Sequence, residues 1–140
     1  MDLRLELVLL PVADVDRAKA FYSDKLGFHV HVDHKAGDHF RVVQLDPPGS
    51  SCSISIGVGI TDAEPGSVRG LHLVVSDIEA VRGELAGRGV PVSEIRHIGT
   101  QGWTPGVHPE RANYESFADF ADPDGNTWVL QEFGYGKLAT

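Results

Sequence analysis

The sequence predicts an α+β fold made of two βαβββ modules, which form a curved mixed sheet around a cleft with the helices on the outside. An apolar strand, an aspartate and an amphipathic stretch open the chain, and the same order recurs in the second half, where Asp77 takes the place of Asp14. Three strand-like segments follow each amphipathic stretch. One such module has too few strands to bury both faces of its sheet, so the two modules are expected to pair.

The elements of the first module follow from its periodicity. Alternating leucines predict the opening strand, and Asp14 is the predicted N-cap of a helix whose apolar residues recur at three and four spacing until Gly27. Turn residues separate the remaining predicted strands. The four predicted strands are Leu3–Pro11, Phe28–Asp33, Phe40–Asp46 and Cys52–Val58.

The second module repeats this order. Ser76 to Glu79 fit a capping box, and the helix that follows is expected to end at Gly87 to Gly89. The segment Gly99–Ser116 lacks periodicity and is predicted to be a long loop. The predicted strands are Leu71–Val75, Val92–Ile98, Ser116–Ala121 and Thr127–Phe133, with Asp122–Asn126 as a tight turn before the last.

The 140 residues suit one domain, covering 1–140. Within it, module one takes about 1–60, a polar linker rich in Pro and Gly takes about 61–67, and module two takes about 68–134.

Charge and composition narrow the class of partner. The 20 acidic residues against 12 basic ones give a net charge of −8, without a basic cluster, which argues against a nucleic-acid partner. The longest apolar run near the start is far shorter than a membrane span, so no membrane partner is expected. Cys52 is the single cysteine and is interpreted as a structural thiol, which is consistent with a cytoplasmic location.

Several motifs together resemble one superfamily. They are the segment Val12–Tyr22, the Leu26-Gly-Phe28 tripeptide, the repeated strand-Asp-helix opening and the turn Asp122-Pro-Asp-Gly-Asn126. In combination they resemble the vicinal oxygen chelate superfamily, the family of glyoxalase I, extradiol dioxygenases, fosfomycin-resistance enzymes and bleomycin-resistance proteins. Because this fold hosts unrelated chemistries, the resemblance is more specific for the fold than for the activity.

The resemblance implies where a metal would be held. In the metal-dependent members His, Gln or Glu side chains on equivalent strands bind a divalent ion, and the matching positions here are Leu7, Gly70 and Val129, with a fourth in Ser53–Gly57. None of these residues offers an imidazole or a carboxylate, so no metal cofactor is expected. A displaced divalent-metal site that uses His72, with Gln131 or a histidine near residue 30, stays open.

Other residues are candidates for contact with a ligand. Alternation places Leu7, Leu9 and His72 in the predicted cleft, where His72 would be the catalytic group if the protein is an enzyme. Trp103 and Tyr114 of the long loop could stack on a planar compound, with Arg111 or Glu110 setting its orientation, although a surface excursion or dimer contact fits the loop as well. The full set of candidate ligand-binding residues is Leu7, Leu9, His72, Trp103, His108, Arg111, Tyr114, Phe117 and Gln131.

Two further features have a structural interpretation. His29 and His31 share a strand face but lack a third metal ligand, so a solvated hairpin is favoured over a metal site, with contact at the mouth of a pocket still open. Trp128 falls on the predicted core side of its strand.

The resemblance, the absent metal ligands and the aromatic loop predict a small-molecule-binding protein of the bleomycin-resistance type. It would sequester a bulky, partly aromatic compound such as an antibiotic, without metal, and the resemblance implies a homodimer. The alternatives are a lyase, isomerase or dioxygenase with a displaced metal site, and a metal-free enzyme in which His72 acts as acid or base.

Overall fold

The computed structural model describes residues 1–137, and this part of the chain has an α+β fold with two mixed sheets. It divides into two compact units. The first unit is Met1–Val68 together with Asp122–Asn126, and the second is Arg69–Ala121 together with the chain from Thr127 onward.

The first unit begins with β1 (Leu7–Leu9) and α1 (Val15–Ala20), which continues into a π-helical segment (Phe21–Lys25). Three strands follow, β2 (His29–Lys35), β3 (Arg41–Asp46) and β4 (Ser53–Val58). The sheet order is β1-β4-β3-β2, with β1 parallel to β4 and the other neighbours antiparallel.

The second unit begins with β5 (Leu71–Val75) and α2 (Ile78–Gly87). Its remaining strands are β6 (Arg96–Gly99), β7 (Gly102–Pro105), β8 (Ser116–Ala121) and β9 (Thr127–Glu132). The order β5-β9-β8-β6-β7 repeats the order of the first sheet, with β5 parallel to β9 and β7 added at the far edge. The predicted βαβββ repeat is therefore confirmed.

Each sheet buries one face. In the first unit the buried face carries Val43, Leu45, Ile54 and Ile56, and in the second it carries Ala118, Phe120, Trp128 and Leu130. The rings of Phe120 and Trp128 stack across the strand pair with centroids 6.3 Å apart. Trp128 is 3% exposed, which confirms its predicted place in the core.

The predicted N-cap of the first helix is correct, and the predicted N-cap of the second helix is one residue too early. Asp14 caps α1 by accepting a hydrogen bond from the Arg17 amide, as predicted. The predicted capping box at Ser76 is wrong, since Asp77 is the N-cap of α2 and accepts from the Ala80 amide. A carboxylate at the N-cap serves both helices in the same way.

Three predicted strand or loop boundaries are wrong. The opening strand covers only Leu7–Leu9 of the predicted Leu3–Pro11, because its partner strand β4 begins opposite Leu7. Of the predicted strand Val92–Ile98, Val92 makes an isolated bridge to Phe120, and the regular strand β6 begins at Arg96. The predicted loop Gly99–Ser116 contains β7, which forms a tight hairpin with β6.

The turn Asp122–Asn126 is held by a buried polar network within the first unit. The Tyr22 hydroxyl donates to Asp122 Oδ2 at 2.7 Å, and the Asn126 side-chain amide donates to the same oxygen at 2.8 Å. Asp124 Oδ1 accepts from the Ala13 amide and the Arg17 guanidinium. This motif of the sequence therefore has a structural role.

Within residues 1–137, no helix combines the length and the apolar character needed to cross a membrane.

Candidate functional site

In the second unit, one face of the sheet carries the buried core residues and the opposite face does not. Strand register shows which side chains share it, because neighbouring residues on paired strands point to the same side. We call this surface the open face, and it carries His72, Val74, Arg96, Ile98, Trp103, Phe117, Asp119, Val129 and Gln131.

An aromatic group occupies the β7 end of the open face. The rings of Trp103 and Phe117 meet edge to face with centroids 5.4 Å apart, and Trp103 remains 59% exposed. The Arg96 guanidinium lies 4.9 Å from the centroid of the Trp103 ring and pairs with both carboxylate oxygens of Asp119 at 2.8 and 3.2 Å. The ion pair fixes the cation against one side of the indole. A depression of ≈ 390 Å³ borders Arg96, Trp103 and Pro105.

Polar side chains occupy the β5–β9 end of the open face. The His72 Nδ1 lies 2.6 Å from the Gly70 carbonyl, to which it donates, so its Nε2 is the nitrogen left to accept a proton or a hydrogen bond. The Gln131 amide donates to the Tyr114 carbonyl at 3.1 Å. Both side chains can hydrogen-bond a polar group of a compound that lies along the face.

The positions that the resemblance assigns to a metal do not fit one. Leu7 pairs with Ser53 in the first sheet, Val129 pairs with His72 in the second, and Gly70 directly precedes β5. Leucine, valine and glycine side chains have no donor atom. Throughout residues 1–137, no three His, Cys, Asp or Glu side chains are grouped to hold a metal ion. Of the displaced set, His72 and Gln131 both lie on the open face of the second unit, whereas the histidines near residue 30 belong to the first unit.

Arg111 does not join the aromatic residues with which the sequence grouped it. Its guanidinium donates to both carboxylate oxygens of Glu132 at 2.8 and 2.6 Å and to Glu79 at 2.9 Å, and it lies 3.5 Å from the centroid of the Tyr135 ring. These carboxylates hold the pKa of Arg111 above its ordinary value, chiefly through the hydrogen bonds with Glu132. Each of its three side-chain nitrogens donates to Glu132 or Glu79, so Arg111 has a structural role, whereas the sequence predicted that it orients a ligand.

The other loop candidates are divided between two places. Tyr114 stacks on Phe133 with centroids 4.7 Å apart and stays half exposed beside the Gln131 side chain. His108 is not part of the open face, and it lines a separate cavity with His97. Sequence reasoning missed Arg96, Ile98 and Asp119, because their common face depends on the unpredicted pairing of β6 with β7 and β8.

In the first unit, Leu7 and Leu9 lie on the sheet face opposite the core, beside Ser53 and Ser55. The predicted histidine pair lies at the other edge of that sheet. His31 Nδ1 is 2.9 Å from Asp46 Oδ2, and Ser53 donates its hydroxyl to Asp46 Oδ1. The Ser53 bond first, and then His31, lower the pKa of Asp46. The serine bonds the carboxylate and not the imidazole, which does not provide an activated nucleophile.

Comparison with known proteins gives the family. The family model of the Glyoxalase/Bleomycin resistance protein/Dioxygenase superfamily matches residues 4–130, so the chain belongs to this superfamily. It is similar to the crystal structure of TnmS3, an antibiotic binding protein from Streptomyces sp. CB03234, with 32% identity over 94% of this chain and 97% of that chain and a TM-score of 0.73.

Two further proteins are similar to the chain along most of its length. A glyoxalase/bleomycin resistance protein from the same Streptomyces strain is 33% identical over 91% of this chain and 99% of that one, with a TM-score of 0.69. YetH of Bacillus subtilis (strain 168), an uncharacterized protein, is 24% identical over 89% of this chain and 94% of its own.

Proposed function

We propose that this protein binds a bulky, partly aromatic compound on the open face without metal and sequesters it, as an antibiotic-binding member of its superfamily. The observation that carries this proposal is the exposed indole of Trp103, packed edge to face with Phe117 on one side and approached by the Arg96 guanidinium. An exposed aromatic ring held by fixed neighbours stacks on a planar compound with little further loss of conformational entropy. The likeness to TnmS3 supports the class of compound.

The polar end of the open face supports orientation of the compound. His72 Nε2 accepts a hydrogen bond and the carbonyl of the Gln131 side chain does the same, while Val74 and Ile98, 57% and 47% exposed, add apolar area along the face. Because the side chains of Leu7, Gly70 and Val129 have no donor atoms, the proposed binding depends on stacking and hydrogen bonds alone.

Tryptophan fluorescence tests the proposal directly. Trp103 is exposed and Trp128 is buried, so a compound on the open face quenches one emission and leaves the other. Titration with doxorubicin and with bleomycin is expected to give saturable quenching at micromolar concentrations for at least one of them. Trp103→Ala removes the reporting indole, so its affinity is measured by isothermal titration calorimetry beside that of the parent protein. It is expected to weaken the binding by about tenfold to thirtyfold, the loss of one aromatic stacking contact.

Phe40→Ala is the matched control, since it removes an exposed aromatic ring from the other unit and is expected to leave the dissociation constant unchanged. Absence of saturable binding to either compound, or an equal loss in the Phe40 variant, contradicts the proposal.

We further propose that the protein acts as a homodimer in the cytoplasm. Support for a second copy comes from Leu3 and Leu5, which are 86% and 69% exposed and lie next to the edge strand β1. Support for a reducing compartment comes from the free thiol of Cys52.

A further inference from the structure

A second cavity lies at the β6–β7 hairpin, where it borders the open face at Ile98. It has a volume of ≈ 620 Å³ and is bordered by the β6–β7 hairpin and by the segment 108–115. Its polar lining residues include His97, Gln101, Thr104, His108, Glu110 and Glu115. The volume lies in the range of small-molecule sites.

The hydrogen bonds of His108 fix its proton. Its Nδ1 accepts from the backbone amides of Glu110 and Ala112 at 3.1 and 3.3 Å, so the ring proton is on Nε2. Nε2 lies 3.2 Å from Glu115 Oε2, within ion-pair distance. His108 therefore contacts one oxygen of the Glu115 carboxylate, and the other oxygen is left for another donor.

His97 has the opposite arrangement. Its Nδ1 donates to the Gly106 carbonyl at 2.8 Å, so Nε2 carries a lone pair. The side chain is 7% exposed, its ring meets that of His108 edge to face at 5.7 Å, and Nε2 has no hydrogen-bond partner in the described part of the chain. In the described residues, the buried side-chain nitrogen and oxygen atoms without a hydrogen-bond partner are Ser55 Oγ and Asp124 Oδ2. His97 Nε2 is not one of them, so it is not fully enclosed by protein atoms. Because His97 lines the cavity, we infer that Nε2 is reached from the cavity.

The charge of the lining selects the ligand. Glu110 and Glu115 are acidic, and the described lining residues include neither lysine nor arginine. The cavity thus presents an unpartnered imidazole lone pair, the exposed carboxylate of Glu110, and the carboxylate of Glu115, one oxygen of which already contacts His108. A positively charged group with several N–H donors satisfies all of them at once.

We propose that this cavity binds a small organic ammonium ion, a protonated primary amine whose N–H groups donate to His97 Nε2 and to the carboxylates of Glu110 and Glu115. This site is separate from the proposed aromatic site, and its ligand is a different class of molecule. The amine is recognised by its charge together with its N–H donors, since charge alone does not satisfy the imidazole lone pair.

Nuclear magnetic resonance of the ¹⁵N-histidine-labelled full chain tests this site. The probe is cyclohexylammonium, with cyclohexanol as a neutral compound of the same shape and tetramethylammonium as a cation without N–H donors. Cyclohexylammonium is expected to shift the His97 Nε2 resonance saturably, whereas the two controls bind at least about tenfold more weakly. Equal binding of either control, or an unmoved His97 resonance, overturns the proposal.

Variants locate the binding. Glu110→Gln and Glu115→Gln are each expected to raise the dissociation constant for cyclohexylammonium about tenfold, the effect of one charge-assisted hydrogen bond. Glu64→Gln removes the same charge from an exposed position in the first unit and is expected to leave it unchanged. The backbone amide spectrum shows whether each variant is folded, and Glu110 is exposed, so its variant keeps the test valid if Glu115→Gln unfolds. Equal affinities for the Glu110 and Glu64 variants overturn the proposal.

Discussion

At the scale of single residues, the ion pair of Arg111 with Glu132 determines how the 108–114 segment is held. Glu132 is fully buried, accepts both guanidinium bonds, and also accepts from the Ile78 amide at the start of α2. Arg111 and Tyr114 have positive φ angles of 50° and 65°, which are unfavourable for residues with a side chain. The bonds to Glu132, one of them from the Tyr114 amide to the Glu132 carbonyl, offset that strain.

Removing the buried charge is expected to be costly. Glu132→Gln leaves Arg111 without its main partner in a buried site, and we expect the free energy of unfolding to fall by about 3 kcal/mol. Glu79 contacts the same guanidinium but is 59% exposed, so Glu79→Gln serves as the control and is expected to cost less than about 0.5 kcal/mol. Urea denaturation of the three proteins measures both values. Similar values for the two variants contradict a special role for the buried pair.

Sequence reasoning predicted the buried side of Trp128 but not the partners of Arg111, for physical reasons. Alternation within β9 depends on neighbours in the sequence, so it identified the core side of Trp128. The partner of Arg111 lies on another strand, and no local pattern encodes which carboxylate a long side chain meets. The sequence around an arginine in a glycine- and proline-rich loop looks the same whether the side chain contacts a ligand or a buried glutamate.

At the scale of elements, the β6–β7 hairpin is the clearest limit of prediction. Its two strands have four residues each, too few to show a period, and Gly99 and Gly102 mark the turn without showing that strands flank it. The hairpin nevertheless positions Trp103 beside Phe117, and it also carries His97 into the second cavity. One unpredicted element thus contributes to both proposed sites, which explains why the sequence identified Trp103 and Phe117 but missed Arg96 and His97.

The contact of β2 with β3 and α1 includes a carboxylate whose charge stabilises the fold. Asp33 accepts from Arg41 at 3.0 and 3.1 Å and from Lys19 at 2.8 Å, and these bonds, Arg41 first, hold its pKa well below the ordinary value of 3.8. A depressed carboxyl pKa adds stability that is complete above pH 4 and is lost as the pH falls toward the folded-state value.

Asp33→Asn is therefore expected to flatten the loss of stability on acidification. Between pH 4 and about pH 2 the free energy of unfolding of the parent protein falls, and the variant is expected to fall less, because the neutral amide has no proton to gain. Asp38→Asn, at an exposed position of the β2–β3 turn, is the control and is expected to follow the parent curve. Denaturant titrations at several pH values measure this, and parallel curves for all three proteins contradict the expectation.

At the scale of the whole molecule, the repeat explains why the fold was predictable. Each unit places its first strand parallel to its last and uses the same strand order, so a single supersecondary unit recurs with an Asp-capped helix at the same point. The side chains that distinguish the units were not predictable from the repeat. Leucines dominate the outer face of β1, whereas the second sheet carries His72, Trp103 and Gln131 on its open face. Common topology therefore indicates the family, and the unshared side chains carry the proposed binding.

The exposed leucines at the start of the chain predict the state of association. Leu3 and Leu5 share the alternation of Leu9, and β1 pairs on one side only among the described strands, so this apolar stripe has an open edge for a second copy. Sedimentation velocity at micromolar concentration is expected to give twice the 15.1 kDa mass of one chain. The double variant Leu3→Asp with Leu5→Asp is expected to sediment as a monomer, because the charges oppose burial of the stripe.

Arg4→Ala with Glu6→Ala alters the same segment at the opposite parity and is expected to remain a dimer. A monomeric parent protein, or two double variants that behave alike, contradicts association through this stripe.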